Sequence, residues 1–151
     1  MKEKIILRFK RIREDFNDIP LPEYSTNGSS GMDIRAALED EKIIEPGKIE
    51  LIPTNLQVEI PEGFEIQVRP RSGLAANDGI GILNSPGTID SDYRGEIKII
   101  LINLGNQPFT IKRGDRIAQL VLNKYYKAEV QLVDELSDTQ RNEGGFGHTG
   151  I

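Results

Sequence analysis

Apolar and polar residues alternate with a period of two over much of the 151-residue chain. This is the pattern of strands that bury one face and expose the other. Clear cases are residues 5–9, 56–60 and 64–68, and residues 61–63 (Pro-Glu-Gly) form a turn between the last two. Residues 97–102 are nearly all apolar, which predicts a strand buried on both faces.

The strand pattern continues into the second half of the chain. Residues 109–111 and 117–122 predict another hairpin, which turns across residues 112–116, and residues 130–133 predict a last strand. We therefore expect an all-β fold, a jelly-roll-like distorted β-barrel built from many short strands.

Helical periodicity is confined to residues 72–79. Ser72 suits the N-cap of a short helix, and Gly79 suits its left-handed stop. Residues 1–136 are expected to form one β-barrel domain. Residues 137–151 are polar and rich in glycine, which predicts a flexible arm that closes over the site.

The composition narrows the possible partners. The chain has no cysteine, so neither disulfides nor thiolate metal sites are available. The formal net charge is −5, which argues against nucleic acid as a partner, and a polyanionic ligand would have to be held by local groups. There is neither a secretory leader pattern nor an apolar stretch long enough to span a membrane, so we expect a cytoplasmic protein without a membrane partner.

Residues 84–97 form a hairpin-like stretch with chemical potential. Asp90 lies between Gly87 and Tyr93, where a carboxylate can act as a general base on a bound water. The two glycines at 87 and 95 would bring bare backbone to a flat ligand. The backbone of Thr88 and Ile89 can pair with a pyrimidine edge, and Tyr93 can press on a sugar. Solvated Asp in a turn and Tyr in strand packing are the simpler alternatives.

Polar side chains elsewhere suit phosphate binding. Arg71, Ser72 and Gly73 open the helical turn with a charge, a hydroxyl and free amides, although an ordinary capped turn has the same residues. Asp33 and Gln119 lie among apolar neighbours, where a polar side chain needs a partner. For Asp33 the alternative partner is the neighbouring backbone.

In the arm, the ring of Phe146 can stack on a base, and the guanidinium of Arg141 can hydrogen-bond a terminal phosphate. It also contains a Gly-x-Gly-x-x-Gly match, but a dinucleotide site needs a preceding strand and a following helix, so we reject it. His148, the only histidine, is interpreted as solvated or near a phosphate.

Five blocks in this order resemble the motifs of the trimeric deoxyuridine triphosphatases. The likeness runs from about residue 20 to the end of the chain and rests on residues 30–36, 70–75, 84–97, 114–120 and 141–150. It implies hydrolysis of dUTP to dUMP and pyrophosphate, which keeps uracil out of DNA and supplies dUMP for thymidylate synthesis.

The resemblance also implies roles for particular groups. Asp90 activates the water, and Gln119 lies near it and near the phosphates. Asn84 and the backbone at Lys98 contact uracil, and Asp33 supports Mg²⁺ through water. The sites would be shared within a homotrimer.

Two alternatives remain open. A dCTP deaminase has the same fold, but those enzymes carry a catalytic glutamate and lack the Gly-Gly-Phe-Gly arm, so Asp90 and residues 144–147 count against it. The other alternative is a nucleotide-binding module without catalysis. It is disfavoured because this sequence has a charged residue at every charged position of the motifs.

Overall fold

The computed structural model describes residues 4–147, which contain twelve strands, one 3₁₀-helix and one α-helix. The strands are β1 (Arg8–Arg11), β2 (Glu23–Tyr24), β3 (Gly31–Arg35), β4 (Lys42–Ile44), β5 (Ile49–Pro53), β6 (Leu56–Glu59), β7 (Phe64–Arg69), β8 (Ile80–Ile82), β9 (Gly87–Ile89), β10 (Lys98–Asn103), β11 (Phe109–Ile111) and β12 (Arg116–Lys124). The 3₁₀-helix is Glu14–Phe16, and α1 is Ser72–Asp78.

The strands form four antiparallel sheets around one main apolar core. Five strands pair in the order β2-β3-β12-β7-β9 and three in the order β5-β10-β8, while β1 pairs with β6 and β4 with β11. The prediction of a mostly β fold with one short α-helix is confirmed. Within residues 4–147 the sheets do not close into a continuous barrel.

The clearest alternating segments behave as predicted. Val58 is buried on β6 and Ile60 directly after it, and Ile66 and Val68 are buried on β7. The turn between them is closed by a hydrogen bond that the Phe64 amide donates to the Pro61 carbonyl at 3.2 Å. Gly63 adopts a positive φ of 86° there, which suits a residue without a side chain.

The predicted hairpin across residues 112–116 is wrong. The turn forms, with Gly114 at φ 81°, but β11 pairs with β4 whereas β12 pairs with β3 and β7. Ala36 explains the separation, because its amide donates to the Asp115 carbonyl and its carbonyl accepts from the Gly114 amide. The turn is therefore bonded to the end of β3, and the chain leaves it into another sheet.

Residues 130–133 are not a strand in the structure. The side chains of Val130 and Leu132 are 92% and 101% exposed. The alternation is present in the sequence, but a strand also needs an edge to pair with, and this segment pairs with none in the described part of the chain.

The strand β10 also differs from its prediction. Ile99 and Leu101 are buried, whereas Ile100 and Ile102 are only half-buried on the opposite face. One face of this apolar strand therefore stays partly open in the single chain.

The short helix α1 begins one residue earlier than predicted, because Ser72 was expected at the N-cap. Arg71 occupies the N-cap position with extended backbone, so Ser72 is the first helical residue. Gly79 ends the helix at φ 70°, as expected. A Cβ at this glycine would also lie 2.5 Å from the Gly105 nitrogen, so close backbone approach requires glycine here as well.

Charged groups hold the N-terminal segment on the molecule. The Arg113 guanidinium lies 4.4 Å above the ring of Phe16 and pairs with Asp18 at 2.6 Å. Arg13 donates to the Asp15 carboxylate and also lies over Phe16. The hydrogen bond from Arg13 lowers the pKa of Asp15, and the hydrogen bond from Arg113 lowers the pKa of Asp18.

We expect this cluster to make the fold sensitive to acid. A carboxylate whose pKa is lowered by folding adds stability above its unfolded pKa of about 3.9, and the contribution disappears as pH falls through the folded value. The difference in Tm between the parent and Arg113→Gln should therefore narrow when pH is lowered from about 6 to about 2.5. Arg8→Gln, which breaks the exposed Arg8–Glu59 pair, is the control. A difference that is constant with pH would contradict the prediction.

Among the residues that the structure describes, we find no helix with the length and apolar character that a membrane span requires.

Candidate active site

A cavity of about 410 Å³ opens where β9 and β10 separate, and we call it the slot. Its lining includes six of the predicted site residues, namely Asn84, Thr88, Ile89, Asp90, Tyr93 and Lys98. Gly87, which was expected to bring backbone to a ligand, also lines the slot, and the lining residues that were not predicted are Leu51, Val68, Glu96, Ile97 and Ile100. The slot thus combines apolar walls with a few polar groups, as small-molecule sites do.

The slot exists because residues 84–97 are not a hairpin, which corrects the sequence prediction. Within the described residues, strand β9 pairs only with β7, as the terminal strand of its sheet, while β10 pairs with β5 and β8. The chain between them crosses from one sheet to the other. This leaves one edge of β9 with backbone groups that a ligand can bind.

Two glycines shape the slot in different ways. A Cβ on Gly87 would lie 3.1 Å from the Val68 Cβ, so the glycine allows β9 to pack closely on β7. A Cβ on Gly95 would lie only 2.3 Å from the Tyr93 hydroxyl. Gly95 therefore makes room for the Tyr93 ring, rather than bringing bare backbone to a ligand.

Tyr93 is fixed at one end and open at the other. Its hydroxyl donates a hydrogen bond of 3.0 Å to the carbonyl of Glu96, and its side chain is 46% exposed. The Tyr93 amide also donates to the Asp90 carbonyl at 3.2 Å, which closes the turn that carries both residues. The ring is therefore held in place beside the slot with area left to contact a ligand.

Asp90 lies at the border of two cavities. It lines the slot, and it also lines a neighbouring cavity of about 470 Å³ with Glu65, Ser91, Asp92, Tyr125 and Lys127. The residue is exposed, so water reaches its carboxylate. A carboxylate in this position can accept a proton from a water that attacks a ligand held in the slot.

A second group of predicted residues forms around Asp33, which is buried with only 7% of its side chain exposed. Its Oδ1 accepts a hydrogen bond from Arg71 Nε at 3.0 Å, while its Oδ2 has longer contacts with Ser25 Oγ at 3.4 Å and with Arg116 at 3.5 Å. The expected partner exists, and it is a set of side chains rather than the backbone.

Arg116 was missed by the sequence analysis. It belongs to the same motif block as Gln119, and β12 shifts register between Arg116 and Ala118 in its pairing with β3. A charge at the start of an apolar strand was the available signal, but the bulge was not predictable from it.

Gln119 lies beside Asp33, because the two residues are opposite each other on β12 and β3. The side chain of Gln119 covers Gly31, where a Cβ would meet it at 3.2 Å. Within residues 4–147 this half-buried side chain makes no hydrogen bond, although we expected a partner. Its amide is therefore available to a ligand or to water.

The other predicted phosphate groups lie outside the slot. Ser72 and Gly73 are exposed in the first turn of α1. Arg141 Nε donates to the Gly144 carbonyl at 2.7 Å, and Phe146 is fully exposed. His148 lies outside the described residues. One chain therefore assembles the slot and the Asp33 group, but it does not bring Ser72, Gly73, Arg141 and Phe146 to the slot.

The residues present could support a bound Mg²⁺ through its waters rather than ligate it directly. No cluster of three acidic or histidine side chains that could hold a metal by itself occurs in the part described. The Oδ2 of Asp33 has only long contacts, so it can accept a hydrogen bond from a metal-bound water. Mg²⁺ commonly keeps several waters and binds substrate phosphates, which fits this arrangement.

The chain is similar to known proteins along most of its length. The profile of the dUTPase family matches residues 17–150. The deoxyuridine 5'-triphosphate nucleotidohydrolase of Caldanaerobacter subterraneus subsp. tengcongensis is 57% identical over 147 residues, which are 97% of this chain and 99% of that protein.

Solved structures show the same fold. The dUTPase of Staphylococcus bacteriophage 80alpha with dUpNHpp has a TM-score of 0.81 at 27% identity, covering 97% of this chain and 99% of that one. A variant dUTPase from phage phi11 of S. aureus, whose structure concerns a structural Mg(II) ion, has a TM-score of 0.75 at 24% identity, covering 86% and 97%. On the profile match and the 57% identity, the chain belongs to the dUTPase family.

Proposed function

We propose that the protein hydrolyses dUTP to dUMP and pyrophosphate, with the slot as its nucleoside site. The observation that carries this proposal is the free edge of β9 in the slot, with Asp90 at one end and Tyr93 beside it. The 80alpha dUTPase, which shares the fold, has the nucleotide analogue dUpNHpp bound.

The base would be recognised mainly by backbone. Uracil presents carbonyls and an N–H on one edge, and the amide and carbonyl groups of Thr88, Ile89 and Lys98 can pair with them. Asn84 adds a side-chain amide that both donates and accepts. Fixed backbone geometry rejects cytosine, because its amino group would leave a donor of the protein or of the base unpaired.

Tyr93 is proposed to exclude ribose by steric contact at the 2′ position. Tyr93→Ala should therefore reduce the preference for dUTP over UTP by roughly tenfold or more. The measurement is the ratio of kcat/KM for the two nucleotides. Tyr93→Phe keeps the ring but loses the hydroxyl bond to the Glu96 carbonyl, so its ratio should fall by less than that of Tyr93→Ala. A ratio that does not change in Tyr93→Ala would assign the ring to packing alone.

The proposed chemistry is a single displacement at the α-phosphorus. A water oxygen forms a bond to this phosphorus while its proton passes to the Asp90 carboxylate. The bond between the α-phosphorus and the oxygen that bridges to the β-phosphorus breaks, and pyrophosphate leaves with that electron pair. No covalent intermediate with the protein is involved.

The triphosphate would be held by several groups. Arg71, Ser72, Gly73 and Arg141 are proposed to bind its oxygens, and Gln119 to lie near the attacking water. When bound, Mg²⁺ would neutralise charge on the phosphates, and Asp33 would support it through water. Phe146 would cover the base.

The separation of these groups supports a homotrimer with shared sites. The slot and the surroundings of Arg71 form two distinct cavities with no lining residue in common. A second copy could bring its Asp33 group to the slot of the first. The tail of the described chain also exposes apolar residues that another copy would cover, namely Tyr126, Val130, Leu132 and Leu136.

The activity is tested by incubating the purified protein with dUTP and with dCTP. Release of pyrophosphate from dUTP is expected, and EDTA should reduce it if Mg²⁺ is used. Ammonia from dCTP would favour the deaminase, and binding of dUTP without any product would favour the module without catalysis.

A further inference from the structure

The loop that carries Tyr93 is tied to one corner of the fold. The corner is residues 54–57, which join β5 to β6 and include the first two residues of β6. Its partners are residues 94–97 at the end of the loop. Four hydrogen bonds, which we call ties, join the loop to the corner. In the first, the Thr54 hydroxyl donates to the Ile97 carbonyl at 2.6 Å. In the second, the Ile97 backbone amide donates to the Leu56 carbonyl at 2.8 Å. A third runs from Gln57 Nε2 to the Arg94 carbonyl at 2.6 Å.

The fourth tie uses a carboxylate that borders the slot. Glu96 Oε1 accepts a hydrogen bond from the backbone amide of Asn55 at 3.0 Å, and its Oε2 lies 3.7 Å from Lys98 Nζ. The side chain of Glu96 is 22% exposed, so water competes only weakly for these contacts. The proposed reaction gives this carboxylate no role.

Asn55 is a rigid anchor for Glu96. It is buried with 5% exposed and adopts a φ of 61°, which few residues other than glycine tolerate. Its side chain makes two hydrogen bonds with the backbone of Arg13. Oδ1 accepts from the Arg13 amide, and Nδ2 donates to the Arg13 carbonyl, each at 2.9 Å. The contact to Glu96 therefore starts from a point that cannot shift easily.

Displacement of Glu96 would be transmitted directly to Tyr93. The Tyr93 hydroxyl is bonded to the carbonyl of Glu96 itself, so moving residue 96 moves the anchor of the ring. Gly95 lies between them in sequence and under the ring in space. The ring position thus depends on where residue 96 is held.

We propose that Glu96 is a positioning residue for sugar selection, acting through Tyr93. Its carboxylate fixes the loop to the corner at residues 54–57, and the loop in turn fixes the ring beside the slot. The proposal rests on dUTP being the substrate. A merely structural role would change stability but leave the choice between dUTP and UTP unaffected.

The test compares Glu96→Ala, Glu96→Asp and Glu96→Gln. The glutamine keeps an oxygen that can accept from the Asn55 amide, so its dUTP-to-UTP ratio of kcat/KM should stay within about threefold of the parent. Alanine removes the acceptor and aspartate is one methylene too short, so both should lower the ratio roughly five- to tenfold, mainly because KM for UTP falls when the ring no longer blocks the 2′-hydroxyl.

Thermal unfolding is measured on the same samples, and the assays are run well below every Tm. Loss of stability with an unchanged ratio in both Glu96→Ala and Glu96→Asp would overturn the proposal. So would a ratio that falls as far in Glu96→Gln as in Glu96→Ala. If Glu96→Ala does not fold, Glu96→Asp takes its place in both comparisons.

Hydrogen exchange separates this proposal from the proposed activity. The amides of Tyr93 and Ile97 should exchange faster in Glu96→Ala than in the parent, with no nucleotide present. Unchanged exchange at both amides would refute the tie. A parent that does not hydrolyse dUTP would refute the proposed activity, and with it the role of Glu96 in sugar selection. Faster exchange in the variant would still show that Glu96 fixes the loop to the corner.

Discussion

Asp90→Asn should abolish most of the turnover of dUTP while leaving nucleotide binding nearly intact. The amide has the same shape as the carboxylate but cannot take a proton from water. We therefore expect kcat to fall by roughly 10²-fold or more. Binding of dUpNHpp should stay within about threefold of the parent, because the slot walls and Tyr93 are unchanged.

Turnover is measured by pyrophosphate release, and binding by calorimetry with dUpNHpp. Asp92→Asn is the matched control, since Asp92 lines the neighbouring cavity but not the slot. Activity of Asp90→Asn within a few-fold of the parent would remove Asp90 from the mechanism. An equal loss in both variants would point to the charge of the region instead.

Deletion of residues 141–151 should give a folded protein with greatly reduced turnover. Residues 126–143 are exposed throughout, so the segment leading to the arm adds little to the core, and Tm should change by no more than a few degrees. We expect kcat/KM for dUTP to fall by roughly 10²-fold, because Arg141 would no longer bind the triphosphate and Phe146 would no longer cover the base.

The arm can be observed directly with Phe146→Trp, since the natural chain has no tryptophan. Its fluorescence should change on addition of dUpNHpp, and much less with inorganic triphosphate, which offers no base to stack on. Full activity of the truncated protein would show that the slot works uncovered. Fluorescence that does not change on addition of dUpNHpp would show that residue 146 takes no part in nucleotide binding.

Local features of the fold could be predicted from the sequence. The alternation in residues 56–60 and 64–68, the turn at Gly63 and the helix stop at Gly79 depend only on neighbouring residues. The six predicted residues of the slot also lie within 15 positions of one another, from Asn84 to Lys98, so chain connectivity alone keeps them close.

Pairing between distant segments could not be predicted. The turn at residues 112–115 looks like a hairpin because the sequence does not show that Ala36 occupies its backbone groups. Arg116 and Glu96 were missed for the same reason, since their partners Asp33 and Asn55 are 83 and 41 positions away. Alternation at residues 130–133 likewise says nothing about whether an edge is available.

The free edge of β9 carries a risk of self-association as well as a use. An unpaired strand edge can recruit a strand from another molecule, and such pairing leads to aggregation. With only three residues, β9 offers a template too short for a stable foreign strand. In the proposed complex, a nucleotide that hydrogen-bonds along this edge would occupy the same backbone groups and leave none for another strand.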